Sequence, residues 1–513
     1  MPGAFCLVYL DMPVLPKPDD RAFAPGLLAA GAILVVAAAV PYRMFDLARF
    51  FAPKELVMHM AALGLALLGL RRADKLELNR VDLLLALYLA LSCVSALLAR
   101  DRWLSTSALA VTLSGAAVFW GARSAAAAGA RSMIVAAAAA AAVAGAAASL
   151  AQAYGFASVL FSLNRVPGGT LGNRNFMAHL AVICAPALVL AALRARRGAG
   201  FVCGAAGVAI VADALVLSRS RAALLGLAAG AAVLAYGAWR AGGRWRDAAM
   251  SSRQRGLLLA GILGVLAALF VPNTLEWKSD SPYLDTVSGI VDYRRGSGHG
   301  RLVQYARTLR IAAAHPLLGA GPGNWALAYP RFSEGFDPSI DYYTGRTINP
   351  WPSSDWMAIL SERGAPALAA LLLALLWLLL AAWRRTAGAA GADEYREGLT
   401  LAATLLGTFT VACFDAVLLL PASSFMAWAI LGALAPPLPA LRQVTLSSRA
   451  RRRALTAVAL AGTAAVLRSS GQVAAMALYS KARTVSQFAL AARLDPGNVR
   501  IRSRLSALRG GMR

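Results

Sequence analysis

The chain is short of charge. Only 15% of its 513 residues are Asp, Glu, Lys or Arg, whereas 59% are hydrophobic, and the mean hydropathy is +0.59. Because ordinary soluble domains carry about 25% charged residues, this composition excludes one and indicates a polytopic membrane protein. Among the charged residues the acidic ones are the fewer: the chain has 25 Asp and Glu and 51 Lys and Arg, which gives a net charge of +26. The arginines flank apolar runs, as the positive-inside bias predicts, so membrane lipids rather than nucleic acid are the expected partners.

Cysteine is also sparse, and it lacks any useful spacing. The five cysteines lie mostly inside apolar runs and form no metal-type pair, so neither a disulfide framework nor a metal site is expected. We expect no cofactor. The N-terminus lacks the pattern of a signal peptide, since charged residues such as Asp19 and Arg21 precede the first long apolar run. That run is expected to be retained as a span.

Long apolar runs dominate what is present. About 20 mostly apolar residues cross a bilayer as a helix, and twelve or thirteen such runs predict an all-α, polytopic integral membrane protein. The predicted spans are 25–42, 55–70, 81–99, 103–121, 132–153, 175–193, 199–218, 221–239, 256–271, 355–383, 398–420, 422–440 and 454–470. The run at 355–383 exceeds one span and is expected to start as a helix above the membrane.

Basic residues set the predicted orientation. Five loops rich in Lys and Arg, at 71–80, 194–197, 240–255, 384–396 and 442–453, fall on one side if the N-terminus is cytoplasmic. We therefore predict a cytoplasmic segment at 1–24, spans within 25–271, a large periplasmic loop at 272–353, further spans within 354–470 and a periplasmic tail at 471–513. The predicted location is the bacterial inner membrane, with the active face in the periplasm.

The tail is a different kind of sequence. Residues 471–509 read as amphipathic helix, turn, helix, with Asp495-Pro496-Gly497-Asn498 as the break. The pattern resembles part of a tetratricopeptide repeat. One such unit cannot bury its own face, so we expect it to pack on the membrane domain or on an envelope protein partner.

A few arginines lie on the predicted outer side, against the bias. Arg219 and Arg221 stand between two spans, Arg174 follows Gly172-Asn173, and Arg301 opens an amphipathic run. Arginine near a helix end can simply snorkel to headgroups. Alternatively, guanidinium groups at helix N-termini bind phosphate, and converging arginines would suit a lipid-linked diphosphate.

Two buried-looking polar residues accompany these arginines. His179 follows the Asn173–Asn175 turn by one helical turn, so it either belongs to the core or faces the cavity. Asp415 falls in the predicted span 398–420, where lipid exposure would be costly, so it should face the bundle or an aqueous cavity. Asn173 and Asn175 are either turn and cap residues or part of the cavity wall.

Three segments carry a resemblance to a known family. They are Gly172-Asn173-Arg174-Asn175, Ser220-Arg221-Ala222-Ala223, and the stretch from Arg301 to Trp325 with His315-Pro316-Leu317-Leu318-Gly319-Ala320-Gly321-Pro322-Gly323-Asn324. In this order the chain resembles the O-antigen ligase/polymerase family of bacterial envelope glycosyltransferases, across most of residues 160–440.

The resemblance implies a reaction. Such enzymes move a glycan from undecaprenyl diphosphate to an acceptor hydroxyl, on a sugar or on lipid A-core, at the outer face of the inner membrane and without a metal. Carried over by motif, Arg221 and Arg301 would hold the donor diphosphate. Developing charge on a diphosphate leaving group needs such stabilisation, and Arg174 is a further candidate.

The chain departs from the family where its loop closes. The family's His-Asn pair, whose histidine is taken as general base, aligns with Ser353 and Ser354, and serine is no substitute base near neutral pH. Candidate replacements are Asp355 and His299, with Glu362 at its family position. His315, in the loop motif, either lines the cavity or stabilises a turn.

Two alternatives therefore stay open. The chain could bind a lipid-linked glycan without catalysis, as the missing histidine and the repeat-like tail suggest. It could also transport a lipid-linked sugar, although transporters tend to show internal repeats and broken helices at the midplane, and the sequence has no such repeat.

Overall fold

The protein is a bundle of membrane-length helices capped on one end by a structured loop. The computed structural model describes residues 20–241, 248–277, 279–290 and 296–510. Most of the predicted N-terminal segment (1–19), residues 242–247 of the third basic loop and the last three tail residues fall outside these ranges.

Eighteen α-helices and one two-stranded ribbon make up the described chain. In order they are α1 Asp20–Ala37, α2 Ala48–Arg72, β1 Lys75–Leu78, α3 Arg80–Leu98, α4 Arg102–Ala125, α5 Arg131–Ala153, α6 Arg174–Leu193, α7 Gly198–Ser218, α8 Arg221–Ala241, α9 Ala248–Phe270, α10 Pro282–Ser288, α11 Gly296–Ala314, α12 Trp325–Ala328, α13 Asp355–Ala387, α14 Ala392–Ala412, α15 Pro421–Leu434, β2 Arg442–Thr445, α16 Ser448–Lys481, α17 Val485–Leu494 and α18 Val499–Gly510.

The predicted spans fall on these helices, and the all-α membrane architecture is confirmed. Nine helical stretches of the described chain are long and apolar enough to cross a membrane. One of them, Arg102–Ala153, contains both α4 and α5, and a kink at Gly129 (φ 97°) divides the two helices. Cap residues explain several starts: the side chains of Asn79, Asp101 and Asn173 accept backbone N–H groups at the beginnings of α3, α4 and α6.

Two predicted spans end earlier than the sequence suggested. The run at 398–420 is helical only to Ala412, and the run at 422–440 is helical only to Leu434, where α15 ends. Residues 413–420 instead form a loop, which Pro421 closes at the first position of α15. The expectation that Asp415 sits within a span was therefore wrong, since it lies in this loop.

The two ends of the bundle differ in charge. At one end β1 pairs with β2, which joins the basic loops at 71–80 and 442–453. The buried Glu397 carboxylate forms ion pairs with three arginines from other parts of the bundle, Arg131, Arg194 and Arg385. The opposite end, here called the loop face, carries residues 272–353.

The tail folds onto the loop face. The side chains of Ala475 and Met476 in α16 and of Ile501 in α18 pack with Phe45 and Ala52. A Cβ on Gly497 would meet the Trp103 ring, so the turn between α17 and α18 lies against the start of α4. The predicted helix–turn–helix is present, and here its apolar face packs on the membrane domain.

Candidate functional site

The junction of α7 and α8 places two arginines on the loop face. Arg219 caps α7 in the left-handed conformation (φ 53°), which is uncommon for a residue with a Cβ. Its Nε donates to the Thr286 hydroxyl over 3.0 Å, and burial lowers the pKa of its guanidinium. Arg221 begins α8 two residues later. The tight turn thus points two cations at the segment that carries α10.

Arg221 and Arg301 share one small cavity, here called the arginine pocket. Its other lining residues are Ala222, Leu225, Gly289, Ile290, Gly298 and Phe414. Arg221 donates to the Gly289 carbonyl over 2.7 Å, an approach that a side chain at Gly289 would block. The buried Nε of Arg301 has no hydrogen-bond partner among the described residues. With a volume of about 20 Å³, the pocket must widen before it holds a diphosphate.

A second pair of arginines lies on an aromatic ring nearby. The guanidinium carbons of Arg174 and Arg219 stand 5.3 and 4.7 Å from the centroid of the Trp277 ring. Cation–π attraction offsets part of the repulsion between two such charges. The structure thereby gathers the predicted Arg174 with Arg219, which in turn neighbours Arg221.

The residues at the start of α6 lie close to the Asp415 carboxylate. The Asn173 side chain accepts the Asn175 N–H over 2.9 Å, which identifies it as the helix cap. Asn175 Nδ2 lies 3.4 Å from Asp415 Oδ2, and the buried His179 Nε2 lies 3.8 Å from the same oxygen. Both ring nitrogens of His179 lack a hydrogen-bond partner within the described chain.

This cluster adjoins the arginine pocket. Phe414, next to Asp415, lines that pocket together with Arg301. Asp415 was not among the predicted site residues. A lone carboxylate in an apolar stretch can indicate a functional residue, but hydropathy assigned residues 398–420 to a span, so Asp415 was not proposed for the site.

The motif 316–325 makes a different kind of contact, here called the loop anchor. Glu362 accepts the Gly323 and Trp325 N–H groups over 2.8 and 3.1 Å. The chain turns at Gly364 (φ 83°), where an added Cβ would lie 2.2 Å from the Leu317 carbonyl oxygen. The Asn324 amide bonds the Asp101 backbone and the Ser105 hydroxyl. The anchor therefore ties the loop to α13 and to the α3–α4 turn.

The residues that close the loop are also well bonded. The buried Asp355 carboxylate accepts the Val417 and Leu418 N–H groups at 2.8–3.1 Å. Ser354 caps α13 and donates to the Ala412 carbonyl over 3.0 Å. For Ser353 the bonds are those of the backbone, to Gln304 and to the Tyr305 hydroxyl, both at 2.6 Å.

The structure distinguishes the residues predicted as general bases by their burial and hydrogen bonding. Asp355 and Glu362 lie fully inside the protein with their oxygens engaged by backbone N–H groups, an arrangement that favours structural roles. Their catalytic roles stay predictions. His299 is exposed in the first turn of α11, two residues before Arg301, and His315 is exposed at the C-terminal end of that helix. His299 therefore lies near the arginine pocket, whereas His315 lies by the loop anchor.

Comparisons with known proteins identify this region. Residues 206–372 match the family model described as O-Antigen ligase, a segment that contains Arg221, Arg301, Ser353 and the loop anchor. No curated protein matches the chain. Among the described residues no cluster of three or more His, Cys, Asp or Glu side chains gathers as metal ligands would. The similarity of this chain to the O-antigen ligase family therefore extends over residues 206–372.

Proposed function

We propose that this multi-pass membrane protein transfers a glycan from undecaprenyl diphosphate to an acceptor hydroxyl at the periplasmic face of the bacterial inner membrane. The acceptor would be a sugar of a growing glycan or of lipid A-core. The observation that carries the proposal is the arginine pocket: Arg221 and Arg301 line one cavity, in the segment that matches the family.

The arginines suit a diphosphate ester whose tail stays in lipid. Guanidinium groups bind phosphate oxygens bidentately and remain charged at any working pH. The N-terminus of α8 at Arg221 adds a favourable dipole. Donor phosphate would replace the Gly289 carbonyl as the partner of Arg221 and would occupy the free Nε of Arg301. The Arg174 and Arg219 pair on Trp277 adds positive potential next to Arg221.

The chemical step is a displacement at the anomeric carbon. The acceptor oxygen forms a new bond to that carbon as its bond to the diphosphate oxygen breaks, and the electron pair leaves with undecaprenyl diphosphate. Arg221 and Arg301 stabilise the charge on this leaving group. The acceptor proton must go to a base.

We propose Asp415 as that base, with His179 as the group that positions it. The Asp415 side chain is partly exposed (14%), unlike the saturated Asp355, and it is adjacent to the pocket residue Phe414. Within the described residues, one Asp415 oxygen, Oδ1, accepts a backbone N–H, that of Ala416 over 2.9 Å. Its other oxygen, Oδ2, faces Asn175 and His179 and is the atom to which we assign the acceptor proton.

The donor proposal is tested with purified protein in nanodiscs and lipid-linked glycan extracted from a deletion strain. Arg221→Ala and Arg301→Ala should each reduce transfer at least about a hundredfold, as loss of a charge-stabilising donor does elsewhere. Arg331→Ala, an exposed arginine on the same loop, is the matched control and should transfer normally. Full activity of both pocket variants would refute the proposal.

The base proposal is tested in the same assay. Asp415→Asn should lower the rate about a hundredfold or more, while Asp355→Asn should chiefly lower stability and His299→Ala should change little. Glycan binding by the wild type without any turnover would favour the non-catalytic alternative. Movement of donor between leaflets without transfer would favour the transporter.

A further inference from the structure

The outer loop carries a small hairpin with aromatic residues at its tip. Ile340 pairs with Thr347 in an antiparallel bridge, and the Ile348 N–H donates to the Ser339 carbonyl over 2.9 Å. At the tip the Asp341 carboxylate accepts both the N–H and the hydroxyl of Thr344 over 2.8 Å. The hairpin is thus ordered by its own bonds.

The aromatic rings at this tip are almost wholly uncovered. Tyr342 and Tyr343 at the tip are 93% and 92% exposed, and Phe336, just before the hairpin, is 90% exposed. The two tyrosine rings meet edge to face with centroids 5.6 Å apart. Single exposed hydrophobic residues are normal on a surface. Three aromatic rings within eight residues, on an ordered support, indicate a contact surface instead.

Both ends of the hairpin adjoin the candidate site. At the first end, Gln304 donates to the Ser339 hydroxyl over 3.0 Å, and Pro338 lies against Gly300, the residue before Arg301. At the second end, Trp351 packs on Phe176, with ring centroids 6.4 Å apart. Phe176 follows Asn175, which contacts Asp415. The hairpin therefore connects the arginine side of the site to its carboxylate side.

We infer that Tyr342 and Tyr343 bind sugar rings of the donor glycan, a few units away from its diphosphate. The inference rests on the proposed function, which places the diphosphate on Arg221 and Arg301. Tyr342 lies four positions after Pro338, so its Cα is at most about 14 Å from the Cα of Pro338 at the hairpin base. The C–H face of a pyranose stacks on an aromatic ring, and the tyrosine hydroxyls can bond sugar hydroxyls.

The test compares two double variants of the full-length protein in nanodiscs. Tyr342→Ala with Tyr343→Ala removes the rings, and Tyr342→Phe with Tyr343→Phe keeps them as the matched control. Two probes are used: the glycan released from the extracted lipid-linked pool, for binding, and two donors, for transfer. One donor carries the full glycan, and the other is undecaprenyl diphosphate with a single N-acetylglucosamine.

The alanine pair should weaken binding of the released glycan about tenfold and raise the KM of the full-length donor by a similar factor. The single-sugar donor should be unaffected, and the phenylalanine pair should resemble wild type. Unchanged glycan binding, a rise in the acceptor KM alone, or equal losses with both donors would overturn the inference. So would a change only in oligomeric state or thermal stability, which would assign the hairpin to a partner copy or to the membrane.

The two proposals fail in different ways. A wild-type protein that transfers nothing refutes the proposed function, whatever the hairpin does. A wild-type protein that transfers, beside an alanine pair that binds the released glycan as tightly, refutes only the hairpin's role.

Discussion

The loop anchor and the arginine pocket both include residues of the loop at 272–353, but they differ in how fully their polar groups are hydrogen-bonded. In the anchor, Glu362 engages two backbone N–H groups, and Asn324 uses both its oxygen and its nitrogen. In the pocket, Arg301 keeps a buried Nε without a partner among the described residues. Arg221 is held by carbonyls of the α10 segment, chiefly that of Gly289.

This difference distinguishes residues that hold the fold together from residues that remain available for chemistry. A saturated polar group stabilises the fold because unpairing it is costly. A charged group with spare hydrogen-bonding capacity is available to a ligand. By this criterion Gly319–Trp325 positions the loop, whereas Arg221 and Arg301, with Asp415 next to the pocket residue Phe414, remain able to act on a substrate.

The largest expected effect is on the anchor. Glu362→Ala leaves the Gly323 and Trp325 N–H groups buried and unpaired, so we expect it to lower the free energy of unfolding by about 2–6 kcal/mol. Thermal unfolding followed by tryptophan fluorescence measures this, with Glu334→Ala, an exposed glutamate of the same loop, as control. Normal stability with abolished transfer would instead support the catalytic role that the sequence suggested for Glu362.

Much of this architecture was predictable, and the exceptions have physical causes. Apolar runs and basic loops predicted the helices and the grouping of Arg174, Arg221 and Arg301 on one face. Hydropathy could not separate a short helix from the loop at 413–420, because that loop is as apolar as a span. Its shape depends on Asp355, which accepts its backbone N–H groups from far along the chain. The family motif therefore points to Asp355 as the base, whereas the geometry points to Asp415.

An intermediate effect is expected at the aromatic support of the pocket. Trp277→Leu removes the ring beneath Arg174 and Arg219, and each cation–π contact contributes about 0.5–1 kcal/mol at exposed sites. The KM for the lipid-linked donor should rise about two- to fivefold while kcat and thermal stability stay near wild type. Trp239→Leu, an exposed tryptophan of α8 far from the loop face, is the control. A loss of stability without a change in KM would place Trp277 with the scaffold.

The smallest effect is expected where the loop closes. Ser353 is held through its backbone by Gln304 and Tyr305, and the Tyr305 hydroxyl also lies 2.7 Å from the Cys413 carbonyl. Ser353→His should therefore preserve the local chain and present an imidazole beside the segment that carries Asp415.

Transfer should rise only about two- to threefold, because a base without evolved supporting bonds is poorly positioned. The decisive measurement places the substitution in the Asp415→Asn background. Partial recovery of the transfer rate there would mean that positions 353 and 415 serve the same proton. A substitution that leaves the double variant as slow as Asp415→Asn alone would show that the site does not use a base from the loop's closing segment.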